Sequence, residues 1–226
     1  MFKRISVFVY GVVSYAVFFG TFLYAIGFIG DLGVPKSIDS VPEAPLWAAL
    51  AVNALLLGAF AVQHSVMARP AFKRWITRYI PKPAERSTYT LVASLLLIAL
   101  FAFWEPIGGV IWRVDDPVGQ AVLYGLFAFG WALVLVATFL INHFDLFGLP
   151  LYVGWFFAFW ATPTMTSAHL VFALLATGYI LIAIQLEERD LVRFHPEYAG
   201  YRRRVPMLIP RFGRRRSGGT PAAESA

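Results

Sequence analysis

From Gln185 to Arg211 the chain reads QLEERDLVRFHPEYAGYRRRVPMLIPR, directly after a long apolar run. Two carboxylates, Glu187 and Glu188, stand where apolar gives way to polar, and behind them come Tyr198, Tyr201 and the bases Arg202, Arg203 and Arg204. An apolar helix that ends in charged and aromatic groups sets those groups at a membrane surface, the depth at which such side chains settle. The rest of the chain then reads as the frame that holds this end in place, an all-α polytopic transmembrane bundle.

Composition agrees. Hydrophobic residues make up 59% of the 226 residues and charged residues only 14%, against about a quarter in a soluble domain. Mean hydropathy is +0.66. The net charge of +6 comes from bases clustered beside apolar runs. Bases so placed set topology and touch anionic lipid, so membrane lipid is an expected partner and nucleic acid is not. The absence of cysteine excludes disulfides, thiolate metal sites and a cysteine nucleophile. Met1 to Arg4 begins like a signal peptide, but the apolar run behind it is too long and lacks a small-residue cleavage site, so it reads as a retained span.

Outward from the quoted stretch, Met165–Leu186 is long enough to cross about 30 Å of hydrocarbon. Leu151–Ala161 is too short to cross alone and reads as the first arm of a hairpin with its bend at Pro163 and Thr164. Upstream, four spans are expected at Ile5–Ile29, Leu46–Val66, Thr88–Trp104 and Val118–Ile141. Between the second and third, Ala71–Ile80 predicts a short interfacial helix, with Phe72, Trp75, Ile76 and Tyr79 toward lipid and Pro81 and Pro83 ending it. The N-terminus, the loop from Arg69 to Arg86 and the region after Glu188 are basic, while the 30–45 and 105–117 loops are acid-rich. Basic segments stay in the cytosol, so both termini are expected there. Residues 1–212 form the membrane domain, and the Gly-, Arg- and Ser-rich tail 213–226 is expected to be disordered.

That topology brings several functional groups to the cytosolic side. They are His64 with Gln63 and Ser65, His143 and Asp145, Tyr152 and Gly154 entering the hairpin, and Glu187 and Glu188 leaving it; His169 belongs to the far bend. No His-x-x-His or Glu-x-x-His pair puts two ligands on one helix face, so no metal site is expected. Nor is there a Walker loop, GxGxxG or GxSxG. Each group also has a plain structural reading. Glu187 and Glu188 would mark a helix leaving the membrane beside Arg189 and Arg193, His64 would be a satisfied polar group, and Tyr152, Trp155 and Trp160 would be interfacial belt residues. Gly154 would admit either a ligand or a neighbouring helix.

Taken together, PLYVGW (Pro150–Trp155), ATPTMT (Ala161–Thr166) and EERDL followed by YRRRVPMLIPR resemble the isoprenylcysteine carboxyl methyltransferase-like membrane methyltransferases. More narrowly, QHSVMARPAFKRW (Gln63–Trp75), ERSTY (Glu85–Tyr89) and INHFDLFGL (Ile141–Leu149) resemble the methanethiol S-methyltransferase branch. The resemblance covers the chain from the first span to Arg211. It implies cytosolic binding of S-adenosylmethionine, with Pro150, Tyr152, Gly154, Glu187 and Glu188 at the cofactor. It also implies a small thiol, methanethiol, as substrate and a bacterial inner membrane as location. A thiol nucleophile needs a proton acceptor, and His143 and His64 are the candidate bases. The chain departs from the family pattern at one place. Gly148 and Leu149 stand where an Arg-His pair precedes Pro150, and the longer basic linker before that pair is missing. The alternatives are therefore a non-catalytic or impaired relative without the segment that covers the cofactor, or a membrane methyltransferase with a lipid or isoprenoid-linked acceptor. Oligomeric state is not encoded in any motif.

Overall fold

The computed structural model describes residues 2–140 and 148–194. His143, Asp145, the tyrosines and arginines after Phe194 and the 213–226 tail lie outside them. Among the described residues seven α-helices are formed: α1 (Phe2–Gly30), α2 (Leu46–Ala68), α3 (Pro70–Ile76), α4 (Glu85–Phe103), α5 (Pro117–Leu140), α6 (Gly148–Trp160) and α7 (Ser167–Phe194). Five of the described segments are long and apolar enough to span a bilayer: Arg4–Gly30, Leu46–Ala68, Lys82–Phe103, Pro117–Thr138 and Ser167–Leu186. The 13 residues of α6 reach about 20 Å at 1.5 Å per residue, so α6 and α7 form the expected hairpin with one short arm. The chain divides into two compact units, Met1–Gln185 and Leu186–Ala226.

Within the first unit, packing is concentrated at one end of the bundle. Phe28 of α1, Leu100, Phe101 and Trp104 at the end of α4, Phe127 and Trp131 of α5, Phe159 of α6 and Phe172 of α7 form a single buried cluster. Their rings are in contact, Phe28–Phe101 tilted with centroids 4.8 Å apart and Phe159–Phe172 edge-on at 5.3 Å. Such ring pairs add to simple area burial, and between membrane helices packing of this kind supplies the attraction that lipid does not. Trp155, expected in an interfacial belt, instead packs inside the bundle between Trp131 and Phe159. Trp160 is held too, its Nε1 donating to Thr177 Oγ1 at 3.0 Å.

Loops seal the same end. The bend at Pro163 is shaped by a two-stranded antiparallel ribbon, in which β1 (Val110–Arg113) pairs with β2 (Thr164–Thr166). The backbone N–H of Val114 donates to the Pro163 carbonyl at 2.9 Å and that of Ser167 to the Gly109 carbonyl at 3.0 Å. The loop after α1 folds back over the bundle: Ile38 N–H donates to the Phe28 carbonyl, and buried Trp104 Nε1 donates to the Ile38 carbonyl at 3.2 Å. His169, at the head of α7, donates from Nε2 to the Phe159 carbonyl at 2.9 Å, while its Nδ1 faces Asp39 at 3.8 Å. Asp39 also accepts from Thr166 Oγ1.

Buried Asn53 of α2 clamps the chain just past α4. Its Nδ2 donates to the Glu105 carbonyl at 2.7 Å, and its Oδ1 accepts from the Glu105 N–H at 2.9 Å. The Asn53→Ala variant loses both bonds and leaves two backbone groups without their partner, so the expected cost is about 1–3 kcal/mol. A lowered thermal midpoint in detergent is the measurement; an unchanged midpoint would show that water replaces the clamp.

Candidate functional site

At the opposite end of the bundle, polar side chains meet between spans. His64 lies one turn before the end of α2, and Tyr89 one turn into α4. Both helices face each other with apolar rows, so the two polar groups are brought together where those rows end. Tyr89 Oη stands 2.9 Å from His64 Nδ1 and 3.0 Å from Nε2. The phenol bridges only one ring nitrogen at a time, so the tautomer decides whether it donates or accepts. Phe60, one turn earlier on α2, stacks on the imidazole with centroids 5.2 Å apart. Next to His64, Ser65 Oγ and Tyr179 Oη of α7 lie 3.0 Å apart, and either can donate. Gln63 turns to its own helix, donating to Met67 Sδ at 3.0 Å. Lys73 of α3 lies 3.9 Å from Glu85 at the head of α4.

An ionisable side chain set among apolar helices and bonded to partners on other helices marks functional chemistry more often than structure. Here an imidazole and a phenol share a proton position, and a hydroxyl pair extends the polar surface to a third helix. The arrangement can take up or release one proton in a water-poor setting.

Helix α7 links this group to the α5–α6 half. Through Tyr179 it bonds α2, and through Thr177, two residues earlier, it bonds Trp160 of α6. On α6, Pro150 and Tyr152 are half-buried. Gly154 is buried against α5: a Cβ there would lie 2.9 Å from the Gly130 carbonyl oxygen and 3.0 Å from Val134 N. Of its two readings, close helix approach is the one these distances support. Glu187 and Glu188 lie on α7 in the second unit, and their side chains are outside the described residues, as is His143.

Tyr89 and Tyr179 are the functional candidates that motif spacing missed. Tyr89 belongs to ERSTY, which bore on the family resemblance but carried no role. Tyr179 is the one tyrosine of α7, and a phenol inside an apolar span was the available signal.

These features define a polytopic integral membrane protein with a polar site inside the bundle. No family model and no solved structure matches the chain. Among curated proteins, one from Crocosphaera subtropica named methanethiol S-methyltransferase is 54% identical, the match covering 94% of this chain and 95% of that one. A protein of the same name from Mycobacterium tuberculosis is 48% identical over 92% and 97%. Nurim from Rattus norvegicus is 27% identical over 74% and 78%. The chain belongs to the methanethiol S-methyltransferase family. The Crocosphaera alignment runs over 242 positions, more than the 226 residues of this chain, so that relative carries residues within the matched region for which this chain has no counterpart.

Proposed function

We propose that this protein methylates methanethiol to dimethyl sulfide with S-adenosylmethionine as donor, at the cytosolic face of a bacterial inner membrane. Identity of 54% across nearly the whole length of a relative bearing that name is the observation that carries the reading. The His64–Tyr89 pair supplies its chemical centre.

The donor set suits the proposed cosubstrate in kind. Glu187 and Glu188 are acceptors for ribose hydroxyls and an ammonium group, Tyr152 offers a phenol, and Pro150 and Gly154 shape the α6 backbone. When bound, S-adenosylmethionine supplies a methyl group on a sulfonium whose positive charge disappears as the methyl passes in line to a thiolate. The protein's own task is to make and hold that thiolate, the reactive form of the thiol. His64, neutral, accepts the thiol proton at one ring nitrogen, and Tyr89 orients the ring through its hydroxyl. His143 is the second candidate base. The apolar spans exclude water and let a small thiol arrive through the bilayer.

Cells expressing the protein and fed methanethiol are expected to release dimethyl sulfide into the headspace; none above the empty-vector control would overturn the reading. Glu187→Gln and Glu188→Gln are each expected to weaken S-adenosylmethionine binding by roughly 10- to 100-fold, since a hydrogen bond to a charged group is worth about 1.5–3 kcal/mol. Calorimetric titration is the check, and unchanged affinity in both variants would remove the glutamates from the site.

A second reading is favoured by one observation. The relatives carry residues that this chain lacks, and the Arg-His pair expected before Pro150 is replaced by Gly148 and Leu149. If the missing residues cover the cosubstrate, the chain is an impaired member of the family. Calorimetry with the wild-type protein separates the two readings, because the impaired form binds no S-adenosylmethionine.

A further inference from the structure

The outer face of α2 carries a feature that methyl transfer does not use. Ala54, Leu55, Gly58, Val62 and Met67 of α2, with Phe72 of α3, line an open apolar groove of about 600 Å³. That volume lies in the range that accepts a drug-sized ligand, about 300–1,000 Å³, and is far larger than a thiol with two heavy atoms requires. Of the spans, α2 is the least covered by protein, with 11% of its apolar window buried against 28–39% for the others. Gly58 has open space where its side chain would be, so none of the described helices fills the notch. The contrast is with Gly154, whose missing side chain makes room for α5.

One end of the groove is charged. Beyond Phe72 come Lys73, Arg74, Arg78, Lys82 and Arg86, with Glu85 the one acid among residues 69–86. Arg74 and Arg78 are exposed. The rings of Phe72, Trp75 and Tyr79 run in contact along the same segment, with centroids 5.2 and 5.5 Å apart. Aromatic rings interleaved with bases, at the end of an apolar groove, match a headgroup above an acyl chain. A second copy of the chain fits less well. Pairing two α2 faces about an axis along the membrane normal would bring two basic segments together.

We propose that the α2–α3 groove binds an anionic phospholipid, its acyl chain lying along Ala54, Gly58 and Val62 and its headgroup held by Arg74 and Arg78. This site stands apart from the methyl-transfer reading and survives its failure. The test uses the full chain purified in detergent, titrated with dioleoylphosphatidylglycerol or dioleoylphosphatidylcholine and observed by native mass spectrometry. One phosphatidylglycerol is expected to be retained at least fivefold more tightly than phosphatidylcholine. Arg74→Gln/Arg78→Gln leaves Arg69, Lys73, Lys82 and Arg86 to hold the topology, and is expected to weaken phosphatidylglycerol roughly fivefold for each base removed without changing phosphatidylcholine. Gly58→Trp, built into open space, is expected to reduce retention of both lipids. Thermal midpoints without added lipid establish that the variants fold. Equal retention of the two lipids by the wild type overturns the proposal. So does undiminished phosphatidylglycerol binding in Gly58→Trp, or a protein dimer in place of the lipid-bound monomer.

Discussion

His64→Gln is expected to lower dimethyl sulfide formation by roughly 10²–10⁴-fold, the range typical of losing a positioned general base, with no change in S-adenosylmethionine affinity. The substitution keeps a hydrogen-bonding side chain of similar length, and Gln can still reach Tyr89, so the bundle should remain folded. What it removes is the imidazole of this polar group, a ring that can carry a proton near neutral pH. Tyr89→Phe separates positioning from proton transfer. It deletes the hydroxyl that lies 2.9 Å from Nδ1 but leaves the imidazole, so the loss should be smaller than for His64→Gln and should be recovered as pH rises and free thiolate replaces enzyme-generated thiolate. Headspace gas chromatography reads the rate, and calorimetry reads the cosubstrate. Wild-type turnover by His64→Gln would move the base elsewhere, with His143 next in line.

Much of the architecture was legible because the bilayer imposes length. Apolar runs bounded by Pro, Gly or charge gave four spans and a hairpin, and α2, α4 and α5 begin or end within three residues of the expected positions. The departures have physical causes. The last span ends at Leu186 as expected, but helix α7 itself runs on to Phe194, because a helix does not stop where hydrophobicity stops; QLEE is rich in good helix formers. The interfacial helix closes at Ile76 rather than Ile80, Thr77 turning its Oγ1 back to the Lys73 carbonyl at 2.8 Å. The β1–β2 ribbon pairs residues more than fifty positions apart, and no local pattern foretells such a partner.

The site was legible in part. His64 was singled out from its depth, but its partner Tyr89 and the Ser65–Tyr179 bond depend on which faces of α2, α4 and α7 meet. Those faces are set by packing at the far end, where Phe28, Trp104, Phe159 and Phe172 interlock. The rings and loop bonds concentrated there fix the helices at one end, and the His64–Tyr89 and Ser65–Tyr179 bonds join α2 to α4 and α7 at the other.

The α5–α6 contact depends on two missing side chains, and among Gly125, Gly130 and Gly154 the Gly130→Ala variant is expected to lose the most stability. A Cβ on Gly130 would lie 2.7 Å from Ala158 N, 2.7 Å from the Gly154 carbonyl oxygen and 2.8 Å from Phe157 Cβ. Two of these neighbours are backbone atoms, which cannot rotate aside as a flexible side chain can, so the helices must separate. Small residues at such crossings let membrane helices come close enough for packing to hold them, and forcing extra volume in costs about 1–3 kcal/mol, occasionally more. Gly154→Ala meets the same wall from the other side, at 2.9 Å from Gly130 O and 3.0 Å from Val134 N, and should be somewhat milder. Gly125→Ala, on the same helix with nothing within 4 Å, should stay within about 0.5 kcal/mol of wild type. Thermal midpoints in detergent should therefore fall in the order Gly125, Gly154, Gly130. Gly130 and Gly154 differ from Gly125 in function as well, because α6 also carries Pro150 and Tyr152, and moving it from α5 shifts the backbone proposed to hold S-adenosylmethionine. Affinity for the cosubstrate should fall with stability in Gly130→Ala and Gly154→Ala but not in Gly125→Ala. A Gly130→Ala protein as stable as Gly125→Ala would mean that α5 and α6 do not touch at this crossing.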